Sequence, residues 1–171
     1  MEPVQSTAEV LAYKVLNRHF DKVWVDWAFE MMMAGFDTEN LVILAGISPS
    51  PFYNQFEFHD LTNKVLEELQ IDYSDKEQVI KNYVYYLIGK GLNGETESFL
   101  VLDILKNICY ELDYAPYLYD FSALYFAKDD LKYSEVQWNW GDADRSNIDS
   151  IITEYFKEWK VNFESENNTK T

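Results

Sequence analysis

A chain of 171 residues that is 47% hydrophobic and 17% aromatic can bury the core of an ordinary domain without disulfides or a structural metal, which excludes a disordered protein. Its 30 acidic residues against 14 basic ones give a formal net charge of −16. The electrostatic field of so negative a protein repels phosphate backbones, so we expect no direct binding to nucleic acid.

The compartment follows from three further features. The opening MEPVQSTAEV lacks the basic and apolar segments of a signal peptide, and no apolar run approaches the roughly 20 residues that a spanning helix needs. The single cysteine, Cys109, lies in the apolar run FLVLDILKNICY and is predicted to be a buried, inert thiol. We expect a cytoplasmic protein without membrane contact.

The first half of the chain has the periodicity of four helices. The first is predicted after Ser6, whose hydroxyl accepts from first-turn amides while Glu9 reaches back, as in a capping box. DKVWVDWAFEMMMAG predicts a second helix that ends at a left-handed glycine, and DTENLVILAG predicts a third that ends at Gly46. The prolines of SPSPFYNQ predict a loop, and a fourth helix follows from about Phe56 to Leu69.

The second half predicts four more helices. A second capping box, Ser74 with Glu77, opens a core helix that stops among the glycines between Gly89 and Gly94. Pro116 prevents the helix after it from continuing further. The last three helices are predicted over Phe99–Leu112, Phe121–Leu131 and Ile148–Trp159.

The segment KYSEVQWNW is the best strand candidate, but a lone strand has no partner. The predicted fold is therefore all-α: an irregular, single-domain bundle of about seven or eight helices over residues 1–163. The polar end, residues 164–171, is predicted to be a tail that frays.

An aspartate-rich stretch, WNWGDADRSNID, is the strongest candidate in the chain for a metal-binding loop. Asp142, Asp144 and Ser146 match the first, third and fifth positions of a calcium loop. However, Asn147 stands where the sharp turn needs glycine, and Thr153 stands where the loop needs a bidentate glutamate. An aspartate or serine before IDSIITEYFKEW also suits a helix N-terminus, so we predict a helix cap and no bound metal.

Other catalytic patterns are missing from the sequence. His59 lies next to Asp60, but adjacent residues of a helix do not face each other, and His19 belongs to no metal-binding spacing. The carboxylates of Glu67 and Glu68 point about 100° apart on a helix, which does not suit a glycosidase pair. We predict no catalytic residue and no cofactor.

Lys14, Arg18 and Lys22 recur every four residues and form a small basic stripe. Such a stripe could contact a partner. The prediction is that it pairs with carboxylates of the protein itself, such as Asp21 and Asp26.

Acidic and aromatic residues together indicate a binding surface. Eleven acids and two bases lie between Asp21 and Asp75, which predicts a broad acidic face. Tyrosine and tryptophan anchor many protein interfaces, although a bulky aromatic core would explain them equally well. The candidate partner-binding residues are Glu57, Asp60, Glu67, Glu68, Asp72, Tyr85 and Tyr86.

Residues 41–71 carry one further pattern: LVILAG, then Pro51, Asn54 and Phe56-Glu57, and finally LEEL at 66–69. This segment resembles small, acidic, helical bacterial proteins, some of which are similar to immunity partners of secreted toxins. The resemblance implies an inhibitory role and supplies no functional residue.

These observations predict a non-enzymatic binding protein, most simply an immunity or inhibitor protein that neutralises a basic toxin or nuclease by covering its cationic cleft. One alternative is an inhibitor from a phage or defence system that mimics nucleic acid. Others are a metal-dependent enzyme that uses Asp142, Asp144 and His59, and a self-associating structural subunit. The sequence does not set the oligomeric state.

Overall fold

The structure, a computed structural model, describes residues 2–48, 50, 52 and 54–168. These residues form eight α-helices and one 3-10 helix, Pro116–Leu118, and no strand forms among them. The all-α prediction is confirmed. The helices are α1 (Thr7–Val15), α2 (Lys22–Met33), α3 (Glu39–Ala45), α4 (Gln55–Glu68), α5 (Lys76–Leu92), α6 (Ser98–Glu111), α7 (Tyr119–Tyr133) and α8 (Ile148–Asn168).

The chain divides into two compact units, and the boundary lies inside α5, between Tyr86 and Leu87. The sequence predicts one domain over residues 1–163. None of the helices in the described part of the chain is long and apolar enough to cross a bilayer.

The first unit packs α1 to α4 around an aromatic core. The rings of Trp24 and Trp27 meet edge to face with centroids 5.8 Å apart, and both are buried. Trp27 donates its indole N–H to the hydroxyl of Thr7, at 2.9 Å, so the polar edge of the ring is satisfied inside the core. Gly35 has a φ of 98° after α2, as predicted, whereas Gly46 ends α3 with an ordinary right-handed backbone.

The second unit buries the apolar faces of α6, α7 and α8. Phe121 and Phe156 are fully buried, and so is Cys109, as the sequence predicts. A Cβ atom on Gly91 would lie 3.3 Å from Cε2 of Phe156 and 3.4 Å from Cγ2 of Val101. The close approach of the ring explains why a glycine stands within this helix.

Both predicted capping boxes are wrong in detail. Ser6 has helical dihedrals, and its hydroxyl donates to the carboxylate of Glu30 on α2 instead of capping its own helix. Helix α5 is capped one residue later than predicted, because Oδ1 of Asp75 accepts from the amide of Gln78 at 3.0 Å. A short aspartate at that position satisfies a first-turn amide as well as a serine does.

Two other predictions need correction. The strand candidate is an irregular segment after α7. Helix α8 continues through Asn168, so residues 164–168 are helical and the predicted frayed tail is wrong there. Once a helix is formed, each further residue adds a hydrogen bond at little cost. Pro49, Pro51, Tyr53 and residues 169–171 lie outside the described residues, and with them parts of the predicted SPSPFYNQ loop and of the tail.

Candidate functional site

One exposed side of α4 carries four of the five predicted acidic residues. Successive residues of a helix turn by about 100°, so Glu57, Asp60, Glu67 and Glu68 fall within an arc of about 100°. All four side chains are exposed. We call this surface, which also includes Lys64, the acidic face of α4.

The acids on and near this face differ in how strongly they are engaged. Asp60 forms an ion pair with Lys64 at 2.8 Å, and Glu68 accepts from the backbone amide of Asn40 at 3.1 Å. Glu57 and Glu67 form no ion pair with the described part of the chain. Glu67 nevertheless contributes, after Asp60, to the raised pKa of the Lys64 ammonium.

Asp72 lies beyond the end of α4. Its Oδ1 accepts from the backbone amide of Ser74 at 2.9 Å, and hydrogen bonds from that residue hold the pKa of the Asp72 carboxyl below its ordinary value. The carboxylate is therefore charged at neutral pH, and its hydrogen bond to Ser74 stabilises the turn before α5.

A phenylalanine that the sequence analysis missed lies on the same face. Phe56 is 85% exposed, and helix geometry aligns it with Asp60 and Glu67, four and eleven residues further along α4. The signal was available, since an apolar residue that aligns with acidic positions cannot point into the core. The acidic face of α4 thus begins with an exposed aromatic ring.

The two candidate tyrosines belong to another helix. Tyr85 and Tyr86 are half-buried on α5, and the ring of Tyr86 stacks on that of Tyr83 with centroids 6.4 Å apart. Tyr83 meets Tyr13 of α1 edge to face, and burial raises the pKa of the Tyr83 hydroxyl. The tyrosine cluster is thus in part a packing feature between α1 and α5.

The aspartate-rich stretch forms a hydrogen-bonded turn that leads into α8. Oδ1 of Asp144 accepts from the amide and the hydroxyl of Ser146, at 2.7 and 2.6 Å, and from the amide of Asn147 at 3.2 Å. The hydroxyl of Ser146 is the main reason that the pKa of Asp144 is lowered. Asn147 also donates to the carbonyl of Asp142 at 2.8 Å. Asp144 therefore caps the turn that precedes α8, whereas the prediction was a cap on the helix itself, which begins only at Ile148.

Metal-ligating side chains do not gather at this turn or elsewhere in the described residues. These residues contain no group of three or more His, Cys, Asp or Glu side chains that could hold a metal ion.

The basic stripe does not behave as one unit. Lys22 pairs with Asp26 at 2.5 Å, as predicted. Lys14 instead donates to the hydroxyl of Thr62 at 2.9 Å and to the backbone carbonyl of His59 at 3.3 Å. The prediction that its partner is a carboxylate is wrong, because the fold turns Lys14 toward the uncharged side of α4.

Lys14 lines a cavity of about 150 Å³ together with Arg18, His19 and His59. We call this cavity the basic pocket. Sequence reasoning treated the two histidines separately, because they stand far apart along the chain. Folding brings them to one opening.

No family model matches this chain, and neither a curated protein nor a solved structure matches it. The function must be argued from the geometry.

Proposed function

We propose that this protein is a non-enzymatic binding protein that captures a basic protein partner on the acidic face of α4. In this proposal it acts as an immunity or inhibitor protein of a basic toxin or nuclease. The observation that carries the proposal is the exposed ring of Phe56 at the head of that face.

The acids and the ring have different roles in such a contact. Exposed carboxylates such as Glu57 and Glu67 act over distance and speed the approach of a cationic partner, within the roughly 8–10 Å over which salt leaves their field effective. A large apolar side chain acts after contact, because burying it slows dissociation. Phe56 alone would bind with little selectivity, and the surrounding charge selects a basic surface.

Overall charge supports the same class of partner. A protein with a formal net charge of −16 attracts basic proteins and repels anionic surfaces. Toxins that act on nucleic acids need cationic clefts, and an acidic helix with an apolar anchor is complementary to such a cleft. The resemblance of residues 41–71 to immunity-like proteins includes α4 and agrees with this proposal.

The test starts by capturing partners from the native cell with the immobilised protein and measuring their association and dissociation at two salt concentrations. In the charge variant, Glu57→Gln, Asp60→Asn and Glu67→Gln are combined. We expect its association rate to fall several-fold at low salt and its dissociation rate to change little. Phe56→Ala should leave association nearly unchanged and speed dissociation by about 30-fold, the effect of a hot-spot residue worth about 2 kcal/mol.

A matched control removes three charges elsewhere. Glu95→Gln, Glu111→Gln and Glu164→Gln alter exposed acids of the second unit and change the net charge by the same amount. If the control slows association as much as the α4 variant does, the effect is one of net charge and the assigned face is wrong. Failure to capture any basic protein would overturn the proposal as a whole.

A further inference from the structure

The basic pocket points to a second function that does not depend on the first. We propose that it binds a small oxyanion of the size of a phosphate group, held between the end of α1 and the first turns of α4.

The walls of the pocket come from separate parts of the first unit. Gln55, His59 and Thr62 have helical spacing and form the wall on α4. Lys14 and the link between α1 and α2, residues 16–21, form the opposite wall. The indole of Trp24 on α2 closes the cavity between the two walls. Polar groups therefore surround a partly apolar floor, which is the usual composition of a ligand site.

The link is held in a defined shape before any ligand arrives. Asn17 has a φ of 52°, and the amide of Arg18 donates to the carbonyl of Tyr13 at 2.9 Å, which is the Schellman ending of a helix. The side-chain amide of Gln55 forms two hydrogen bonds with the backbone of Phe20. It accepts from the amide at 2.6 Å and donates to the carbonyl at 3.1 Å. Such preorganisation lowers the entropy cost of binding.

The charge of the pocket is opposite to that of the protein. Two cations and two histidines line it, and none of the nine described lining residues is acidic. The ammonium of Lys14 has three protons but only two neutral oxygen partners, Thr62 and His59. No carboxylate of the described chain pairs with this ammonium. Burial alone lowers the pKa of Lys14 to about 8, and an anion beside the ammonium would offset the cost of that burial.

Size and donor chemistry define the ligand class. A cavity of about 150 Å³ is smaller than the roughly 300–1,000 Å³ of sites for larger organic molecules. Lysine and arginine together are the side chains that proteins use for phosphate, the first as a compact charge and the second as a planar donor. A phosphate group can arrive as the free ion or on an organic molecule.

The experiment is an NMR titration of the full chain, labelled with ¹⁵N, with sodium phosphate and separately with glycerol phosphate. Sodium chloride at matched ionic strength serves as the reference. We expect saturable shifts at Asn17, Arg18, His19 and Trp24 with both phosphates. Tighter binding of glycerol phosphate would identify an organic phosphate as the ligand, and equal binding would identify the free ion. Shifts that only follow ionic strength would overturn the proposal.

Two variants locate the anion. Lys14→Met keeps the length of the side chain and removes the charge, and we expect it to weaken phosphate binding by about tenfold or more, the loss of one charge-assisted hydrogen bond. Lys22→Met is the matched control, because it removes an exposed lysine of the neighbouring helix that is already paired with Asp26. It should change the affinity less than about twofold. Equal losses in the two variants would overturn the proposal.

The pH dependence provides an independent readout if Lys14→Met does not fold. Arg18, His19 and His59 are the other charged or titratable groups that line the pocket. Arg18 keeps its charge throughout the alkaline range. Affinity should therefore have lost about half of its value near pH 8 and fall further above it as free Lys14 loses its proton, approaching tenfold for each unit. The same alkaline fall in His59→Gln would exclude His59 as its source, and a flat profile from about pH 7.5 to 9.5 in the wild type would contradict the proposal.

Discussion

The hydrogen bond between Thr7 and Trp27 allows a sharp test of the core of the first unit. Trp27 is 1% exposed and Thr7 is 8% exposed, so the indole N–H has no access to water. Thr7→Val keeps the shape and the β-branching of the side chain but removes the acceptor. Leaving a buried donor without a partner costs about 1–3 kcal/mol, and the new methyl group returns up to about 0.8 kcal/mol. We expect a net loss of about 1–2 kcal/mol.

The assay is urea unfolding followed by far-ultraviolet circular dichroism and tryptophan fluorescence. The matched control is Thr153→Val on α8, where the hydroxyl donates to the backbone carbonyl of Asp149 at 2.9 Å and no buried donor depends on it. A double-mutant cycle with Trp27→Phe separates the hydrogen bond from packing, because phenylalanine has no N–H to leave unpaired. Thr7→Val should cost about 1 kcal/mol less in that background. If Thr7→Val and Thr153→Val shift the midpoint equally, the energetic role given to this hydrogen bond is wrong.

Three further predictions concern α5 and the turn before α8. Asp75→Ala should lower the free energy of unfolding by about 0.5–2 kcal/mol, as loss of a cap does, and Ser74→Ala should change it by less than about 0.5 kcal/mol; urea midpoints that reverse this order would return the cap to the serine. Gly89→Ala should stabilise the protein by about 0.5–1 kcal/mol, because nothing lies within 4 Å of the new Cβ atom, whereas Gly91→Ala should lose that gain against a buried phenylalanine ring. Equal melting temperatures for the two alanine variants would mean that the ring moves aside at no cost. Millimolar calcium, magnesium or manganese should leave the melting temperature unchanged, since a ligand stabilises only in proportion to its binding; a rise of several degrees that disappears in Asp144→Asn would show that the turn holds a metal.

Helix positions could be predicted well because their signals are local. Each of the eight predicted helices is present, and α4 and α6 begin and end within one residue of the predicted positions. Apolar residues three and four apart, together with prolines and glycines, set these limits through contacts within a few residues. The caps were harder to predict. Ser6 turns to Glu30, which is remote in sequence, and Asp75 competes with Ser74 one position away.

The candidate site was predictable in part. The exposure of Glu57, Asp60 and Glu67 follows from the helical pattern of α4, because the apolar residues between them occupy the opposite side. Phe56 was predictable from its alignment with Asp60 and Glu67 along α4, but it entered the prediction only as the approximate start of the helix. Tyr85 and Tyr86 were grouped with the acids by composition, although the fold packs their helix against α1.

The sequence by itself determined the all-α class, the negative charge, the buried thiol of Cys109 and the acidic side of α4, since each depends on composition or on spacing along one helix. Only the tertiary structure decided that Lys14 has no carboxylate partner within the described chain and that His19 and His59 share a pocket with it. The lining of that pocket extends from residue 14 to residue 62, and no local pattern connects positions so far apart. Their meeting depends on how α1, α2 and α4 pack, and packing is set by the shapes of the buried side chains acting together.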